Sequence, residues 1–184
     1  MRKLKITELN RLSCEEYRTV AKIPLVVILD NVRSLHNVGS VFRTADAFRV
    51  EHLYLCGITS PPPHPEIHKT ALGAEDSVAW TYMKSTMPVV TQLKAAGYGL
   101  WGIEQVEGSR SLETFQSAYK KNAIIFGNEV HGIAQEVIDQ CNGCIEIPQF
   151  GTKHSLNVSV ASGIVIWELF SQYALLHQHD NLFG

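Results

Sequence analysis

Apolar residues fall into short continuous runs that alternate along the chain with longer segments of mixed polarity. The first run, PLVVILD at 24–30, is rich in β-branched residues, which is the pattern of a strand buried on both faces. Similar runs predict further strands at 52–58, 77–83, 97–103, 122–127 and 144–148. Segments of helical length lie between the strands, at 38–48, 66–72, 86–96, 111–119, 133–141 and 156–176. This alternation predicts an α/β domain with a mostly parallel sheet flanked by helices.

The rest of the composition fits one globular domain. The chain has 184 residues, of which 45% are hydrophobic and 18% charged, and no Gly/Ser-rich linker or internal repeat divides it. A first helix is predicted over 8–20 behind a Thr7 cap. We predict that no apolar run is long enough to cross a bilayer, so no membrane partner is expected. The first residues lack the apolar core of a signal peptide, and the cytoplasm is the expected location.

Charge is unevenly distributed, although the net charge is only −2. Residues 1–50 hold nine Lys and Arg against five Asp and Glu, whereas the remainder holds seven against thirteen. A basic N-terminal third could steer the protein toward phosphates, or it could be ordinary surface variation. Charge alone leaves both interpretations open.

Cysteine and histidine spacings offer little support for a metal or redox centre. Cys141 and Cys144 have the right separation, but no second pair exists to complete a zinc site, and both are predicted to be buried thiols. His64 and His68 are four residues apart, and Pro65 is predicted to stop them from sharing a helical turn. A loop near a ligand is the better interpretation of that segment.

Polar residues are concentrated directly after three of the predicted strands. DNVRSLHNVGSVFRTADAF follows the first strand, FGNEVHGI follows the fifth, and a stretch containing HSLNVSVASG follows the sixth. Ligands of parallel α/β sheets gather beyond the carboxyl ends of the strands, so these three stretches predict a shared site.

Each of the first two stretches can be explained by structure or by function. Asn37 is either the N-cap of the helix or a site residue. Arg43, on a helix with many apolar residues, either pairs with Asp46 or Asp30 or serves an anionic ligand, and we favour the ligand. Gly127 permits a sharp turn or a close approach, and Glu129 is either a helix cap or a site acid.

In the third stretch, Ser155 is the predicted N-cap of the helix over 156–176. Asn157 would then lie in the first turn, where Asn is intrinsically poor, which favours a functional role. His154 beside Ser155 does not establish a catalytic triad. No phosphate-loop motif is present, and GYGLWG runs through a strand rather than into a helix, which disfavours a dinucleotide-binding oxidoreductase.

Taken together, three blocks resemble the motifs of the SpoU (TrmH-like) family of the SPOUT methyltransferases. These blocks are NVRSLHNVGSVFRTADAF, IIFGNEVHGI and IEIPQFGTKHSLNVSVASGIVIWE, which match the family in order and spacing. The resemblance covers about residues 24–174, and its third motif departs from the common pattern at Gln149. It implies an α/β fold with a deep C-terminal trefoil knot and a homodimer whose active sites lie at the interface.

The resemblance also implies a reaction and a set of residues. The reaction is transfer of a methyl group from S-adenosylmethionine to a ribose 2′-hydroxyl of RNA, which needs no metal and leaves S-adenosylhomocysteine. Arg43 would be the catalytic residue, supported by Asn37, Glu129, Ser155 and Asn157. The cofactor would be bound, largely through backbone groups, by Ile103, Glu104, Gly127, Asn128, Gly132, Ile147 and Leu156.

Residues 24–176 would form the methyltransferase domain, between a helical extension at 1–23 and a short tail at 177–184. With no separate RNA-binding domain expected, the candidate RNA contacts are Arg2, Lys3, Lys5, Arg11, Arg18 and Lys22, although these could equally be a solvated surface. Transfer RNA is expected as substrate, with ribosomal RNA and a non-catalytic RNA-binding role as alternatives.

Overall fold

The computed structural model describes residues 1–176, so the predicted tail at 177–184 lies outside the described residues. Its strands are β1 Ile23–Asp30, β2 Val50–Cys56, β3 Trp80–Met83, β4 Gly99–Ile103, β5 Arg110–Ser111, β6 Asn122–Phe126 and β7 Gly143–Glu146. Its helices are α1 Cys14–Thr19, α2 Leu35–Ala47, α3 Pro65–Ala71, α4 Ala74–Ser77, α5 Met87–Ala95, α6 Gln135–Ile138 and α7 Val158–Leu176.

All strands join one parallel sheet in the order β3-β2-β1-β6-β4-β7-β5. The central strand β1 pairs with β2 on one side and with β6 on the other, so Val27 lies between Leu53 and Ile124. The predicted α/β fold with a mostly parallel sheet is therefore confirmed. The order places β6, which comes late in the chain, between β1 and β4.

Each face of the sheet has its own hydrophobic core. Successive side chains of a strand point to opposite faces, so Leu25, Val27 and Leu29 of β1 pack with residues of α1, α2, α4 and α7. Val26 and Ile28 pack on the other face, with α5 and α6. Helices on both faces explain why β1 is apolar from Ile23 to Leu29.

The structure corrects several predicted boundaries. Helix α1 begins after Ser13, which forms a capping box with Glu16, so Thr7 is not the cap. The predicted helix over 111–119 is only a 3₁₀ turn, Leu112–Thr114, and the two-residue strand β5 beside it was not predicted. Pro65 is the first residue of α3 and His64 is its N-cap, so the prediction that Pro65 would keep His64 and His68 off one helical turn is wrong.

The last helix, α7, is apolar on both its buried and its exposed side. Val165 and Ile166 are fully buried, whereas Val160 is 50% and Trp167 53% exposed. By length and composition alone α7 could span a bilayer, so the prediction that no apolar run is long enough is wrong. Its buried side packs in the core beside α2, and helices in soluble cores pass the same test.

The cysteines behave as the sequence predicts for buried thiols. Cys144 is buried and Cys141 is half-buried, and all four cysteines are free. Burial raises the pKa of the Cys141 thiol to about 12, and the neighbouring Cys144 adds to the effect. A thiol with such a pKa is almost never a thiolate at neutral pH, so this pair is poorly suited to redox chemistry.

Candidate active site

Three neighbouring strands bring their carboxyl ends together at one edge of the sheet. Strand β4 lies between β6 and β7, so the segments that follow Phe126, Ile103 and Glu146 start side by side. The next strand along, β1, delivers the polar stretch that begins helix α2. The predicted strand-end residues are therefore gathered at one place, as expected for a ligand site in a parallel sheet.

The segment after β6 is a tight turn that requires glycine. Asn128 and Gly132 exchange backbone hydrogen bonds of 3.0 and 2.9 Å, which folds the turn back onto Gly127. A Cβ atom at Gly127 would overlap the backbone of Gly132 and Ile133. The side chain of Asn128 is used inside the structure, because its Oδ1 accepts from the Val130 amide and its Nδ2 donates to the Asn31 carbonyl. Asn128 thus shapes the turn and ties it to the end of β1.

Two hydrogen bonds link the three loops that follow β4, β6 and β7, one from Glu104 and one from Gln105. The Glu104 carboxylate, at the end of β4, accepts from the Ile133 amide at 3.2 Å and from the Gln105 amide at 3.0 Å. The Gln105 amide side chain donates to the His154 carbonyl at 2.9 Å, which reaches the loop between β7 and α7. Glu104 is therefore a positioning residue that links the β4 and β6 loops, and Gln105 links β4 to the third loop.

Apolar side chains line the same edge. Ile103 and Ile147 are half-buried and pack on the core at the ends of adjacent strands. Leu156 is 37% exposed, in the loop that leads into α7. Segments 103–106 and 127–133 contain no Lys or Arg. An apolar surface with backbone polar groups, and with Lys153 of the β7–α7 loop as the cation of the three segments, suits a ligand that is flat in part and carries its positive charge near the other two segments.

Glu129 caps helix α2 from a distant part of the chain. Its carboxylate accepts from the backbone amides of Arg33 at 2.9 Å and Ser34 at 3.0 Å. The same carboxylate accepts from the Asn37 side chain at 3.0 Å. Burial acts to raise the pKa of Glu129, but the hydrogen bonds, with Arg33 and Ser34 first, outweigh it and lower the pKa below its usual range.

These contacts decide between the two interpretations of Asn37. Ser34 is the N-cap of α2, and its hydroxyl accepts from the Asn37 amide, so Asn37 is not the cap. Asn37 is 6% exposed and lies one turn inside the helix, where its side chain is occupied by Glu129. Asn37 and Glu129 together fix the start of the helix that carries Arg43.

Replacing Glu129 by Gln should therefore destabilise the protein in a pH-dependent way. The lowered pKa means that the stabilisation is fully present above the unfolded-state pKa of about 4.3 and is lost as pH falls through the lower folded value. At pH 7 we expect a loss of about 1 kcal/mol, a size typical of helix caps on the surface. Urea unfolding at pH 7 and pH 3.5 measures it, with Glu136→Gln as control because Glu136 is exposed on α6. A pH-independent difference would contradict the capping role.

Arg43 is exposed and has no hydrogen bond or ion pair within residues 1–176. The two suggested internal partners are engaged elsewhere, since Asp46 accepts from the Ser77 hydroxyl and Asp30 from the Thr86 hydroxyl. An intrahelical or buried ion pair is therefore wrong as an explanation of this arginine. The guanidinium projects from α2 with its donors free for a ligand.

Helix α7 starts two residues later than predicted, which reverses the roles assigned to its first polar residues. The Asn157 carbonyl accepts from Val160 and Ala161, and its side chain accepts from the Ser159 amide at 2.8 Å. Asn157 is the cap, a position that suits Asn, and the prediction that it lies inside the first turn is wrong. Ser155 is exposed in the preceding loop and is not the cap. Both residues still belong to the segment between β7 and α7, which is one of the three loops at the carboxyl ends of β4, β6 and β7 (the three-loop edge).

The basic candidates of the N-terminal extension divide into two groups. Three are engaged internally: Arg2 pairs with Glu8 at 2.7 Å, Arg18 donates to the Asp76 carbonyl at 2.7 Å, and Lys22 donates to the Tyr17 and Val20 carbonyls. Burial, with Arg49 nearby, also lowers the pKa of Lys22. The other three, Lys3, Lys5 and Arg11, are exposed. These three are the better candidates for contact with an extended polyanion.

Sequence reasoning missed two residues that position the site. Gln105 makes the contact to the third loop, and no pattern in the sequence indicates it. Asp30 is 2% exposed at the end of β1 and accepts from Asn31 at 3.0 Å. A charged residue closing an apolar strand was a usable signal for Asp30. Within residues 1–176 no group of three or more His, Cys, Asp or Glu side chains is placed to hold a metal.

The fold and site define a parallel α/β protein with a candidate ligand site among loops from adjacent strand ends. More specifically, the chain belongs to the SpoU rRNA Methylase family, whose sequence profile matches residues 24–167. It is 31% identical over 155 residues to the 23S rRNA (guanosine-2′-O-)-methyltransferase RlmB of Neisseria meningitidis, an alignment that covers 84% of this chain and 61% of that protein. It is 33% identical over 147 residues to a TrmH family tRNA/rRNA methyltransferase of Staphylococcus aureus, covering 79% and 58%. The chain thus spans about three fifths of these relatives.

Solved structures support the same family. The AdoMet-bound rRNA methyltransferase from Sinorhizobium meliloti superposes with a TM-score of 0.76 at 27% identity, covering 88% of this chain and 61% of that one. The SpoU methyltransferase AviRb from Streptomyces viridochromogenes, in complex with AdoMet, has a TM-score of 0.75 at 25% identity, covering 86% and 64%. The predicted family resemblance is confirmed.

Proposed function

We propose that this protein transfers a methyl group from S-adenosylmethionine to the 2′-hydroxyl of a ribose in structured RNA. The observation that carries the proposal is the meeting of the β4, β6 and β7 loops at one edge. Beside them lies a helix with an exposed arginine that has no ion-pair partner within residues 1–176. The name of the Neisseria relative, which specifies a guanosine 2′-O reaction, supports ribose as the target.

The residues at the edge suit S-adenosylmethionine. Half-buried Ile103 and Ile147 offer an apolar surface for an adenine ring, and backbone groups around Gly127, Gly132 and Leu156 offer donors and acceptors. The absence of Lys and Arg from segments 103–106 and 127–133 avoids repulsion of a sulfonium. When bound, this cofactor supplies an activated methyl electrophile, so the chain's own residues need only prepare the nucleophile.

Arg43 is proposed as the catalytic residue. A ribose hydroxyl is a poor nucleophile until it loses its proton, and a guanidinium stays protonated, so a role as base is unfavourable. We infer that Arg43 orients an RNA phosphate and stabilises the negative charge that develops on the 2′-oxygen as its proton passes to solvent water. The new bond from this oxygen to the methyl carbon would form as the carbon–sulfur bond of the cofactor breaks, which leaves S-adenosylhomocysteine. Glu129 and Asn37 act as positioning residues, since they fix the start of the arginine's helix. Ser155 and Asn157 are proposed to complete the substrate side of the pocket.

The proposed assembly is a homodimer that buries the exposed side of α7. Val160, Ile164 and Trp167 lie at helical spacing on this side, and each is more than a third exposed. Since α7 packs beside α2, a second copy seated here would lie near Arg43 and complete a site at the interface. We also propose that the segment from β6 to α7 forms the deep trefoil knot, which the insertion of β6 between earlier strands supports.

In this proposal residues 24–176 form the methyltransferase domain, and 1–23 contribute RNA contacts through Lys3, Lys5 and Arg11. The reaction is expected in the cytoplasm. Transfer RNA stays the predicted substrate over ribosomal RNA, and relatives' names include both types of RNA.

Incubation of the purified protein with methyl-labelled S-adenosylmethionine tests the activity. We offer size-fractionated transfer RNA and ribosomal RNA, separately, from cells that lack the protein. Because alkaline cleavage of RNA requires a free 2′-hydroxyl, the label should remain in alkali-resistant dinucleotides. Calorimetry should show binding of S-adenosylmethionine and not of NAD. Label on a base, or no label in either RNA, would contradict the proposal.

A further inference from the structure

A second cavity lies away from the candidate active site. It has a volume of about 900 Å³ and opens at the β3 end of the sheet, beside α3, α4 and the start of β3. Pro62, Pro63, Pro65 and Trp80 provide apolar surface, and Arg18 and Glu75 are the charged residues on which its chemistry depends. None of the residues assigned to the three-loop edge lines it. Its volume lies within the range of small-molecule binding sites.

Glu75 gives the cavity an unpaired hydrogen-bond acceptor. Its side chain is only 8% exposed, and its Oε1 is 2.5 Å from the His68 Nδ1. Its Oε2 is closed off from solvent and has no hydrogen-bond partner among residues 1–176. A buried carboxylate oxygen without a partner is costly. Rotation about the soft terminal torsion of Glu75 would turn this oxygen toward a ligand donor, and the carboxylate would exchange its His68 contact for the ligand.

Arg18 restricts the kind of ligand that can use this acceptor. One of its guanidinium nitrogens donates to the Asp76 carbonyl at 2.7 Å, which holds the arginine at the cavity wall with further donors available. A simple cation would be attracted by Glu75 and repelled by Arg18. A ligand with an N–H donor at one end, a negative group at the other and a flat apolar body satisfies both residues and the proline and tryptophan surface. A nucleotide has this combination.

We propose that this cavity binds one unpaired nucleotide of the RNA substrate, with the exocyclic amino group of its base donating to Glu75 and its phosphate facing Arg18. The choice of RNA rests on the proposed function. One carboxylate oxygen accepts one N–H of the amino group, which suits adenine, cytosine or guanine. The N3–H of uracil lies between two carbonyl oxygens that the carboxylate would repel. The cavity would thus hold a nucleotide of the RNA other than the one that is methylated.

Titration of the full-length ¹⁵N-labelled protein with mononucleotides tests this assignment. AMP, CMP or GMP at millimolar concentration should shift the amide signals of Glu75 and Ala79, whereas UMP and ribose 5-phosphate should bind at least tenfold more weakly. Glu75→Gln should weaken AMP binding at least tenfold, and the matched control Glu136→Gln, which alters an exposed carboxylate on α6 outside the cavity, should not. Arg18→Gln should weaken AMP binding and leave adenosine binding unchanged.

The proposal would be overturned if UMP and AMP bound equally, or if Glu75→Gln bound AMP as tightly as the wild type. It would also be overturned if none of AMP, CMP, GMP and UMP shifted the amide signals. Shifts produced by Nα-acetyl-lysine amide alone would overturn it as well, and would assign the cavity to a protein side chain. The titration needs no methyl transfer, so a missing methyltransferase activity and a missing nucleotide site give different results. If both hold, Glu75→Gln should raise the KM for RNA about tenfold without changing kcat or S-adenosylmethionine binding.

Discussion

Replacing Arg43 by Ala should abolish methyl transfer to RNA, with a fall of at least about 10³-fold in kcat/KM, while S-adenosylmethionine still binds. Losing a charged donor aimed at developing negative charge typically costs two to three powers of ten, and loss of phosphate orientation adds to it. Arg43 is exposed and makes no hydrogen bond or ion pair within residues 1–176, so the change should not alter stability. Single-turnover kinetics and calorimetry with the cofactor measure the two effects separately.

Two further variants sharpen the interpretation of Arg43. Arg43→Lys keeps the charge but lacks the planar fork that binds a phosphate, so we expect only partial recovery of the rate. Lys120→Ala removes an equally exposed cation just before β6, at the opposite edge of the sheet, and should leave the rate within about twofold of wild type. Near-normal turnover by Arg43→Ala would sink the proposed role.

Placing a charge on the exposed side of α7 should dissociate the proposed dimer and reduce methyl transfer at least about a hundredfold. Val160 is suited to this test, because it is 50% exposed and lies in the first turn of α7, where Asp is favourable. Val160→Asp would leave the fold intact while burying an unpaired carboxylate in any interface formed by this side. Light scattering coupled to size-exclusion chromatography reports the change in mass, and the labelled-methyl assay reports activity.

The control is Ile58→Asp, which makes the same kind of change at a 62% exposed apolar residue following β2. This variant should keep the dimer. If Val160→Asp also kept it, another surface would have to form the assembly. A monomeric variant with full activity would instead contradict a site completed by the second copy.

The pattern of apolar residues determined much of the architecture. β1 is apolar up to Leu29 because helices cover both faces of the sheet, and the sequence alone identified the strand with an error of one residue at its start. The stretches that contain Asn37, Gly127, Glu129 and Asn157 predicted a site, because ligands of parallel α/β sheets bind beyond the carboxyl ends of the strands. The local pattern predicted the first residue of a helix less accurately. The N-cap is decided by a single side-chain hydrogen bond, and several polar residues near a helix start can form it.

Tertiary structure decided which strand ends are neighbours. Periodicity reports burial one residue at a time, but adjacency depends on the path of the chain between strands, and nothing local places β6 between β1 and β4. That placement brings Glu129 to the start of α2, some 90 residues away in sequence, and turns a suspected site acid into a helix cap. Only the folded chain shows that, among residues 1–176, Arg43 has no ion-pair partner, one side of α7 is exposed, and one oxygen of the enclosed Glu75 carboxylate has no hydrogen bond. The sequence by itself determined the α/β class, the family and the strand ends that carry the chemistry. Long-range packing alone determined what each of those side chains contacts, because hydrogen-bond partners are set by distances in space and not by spacing along the chain.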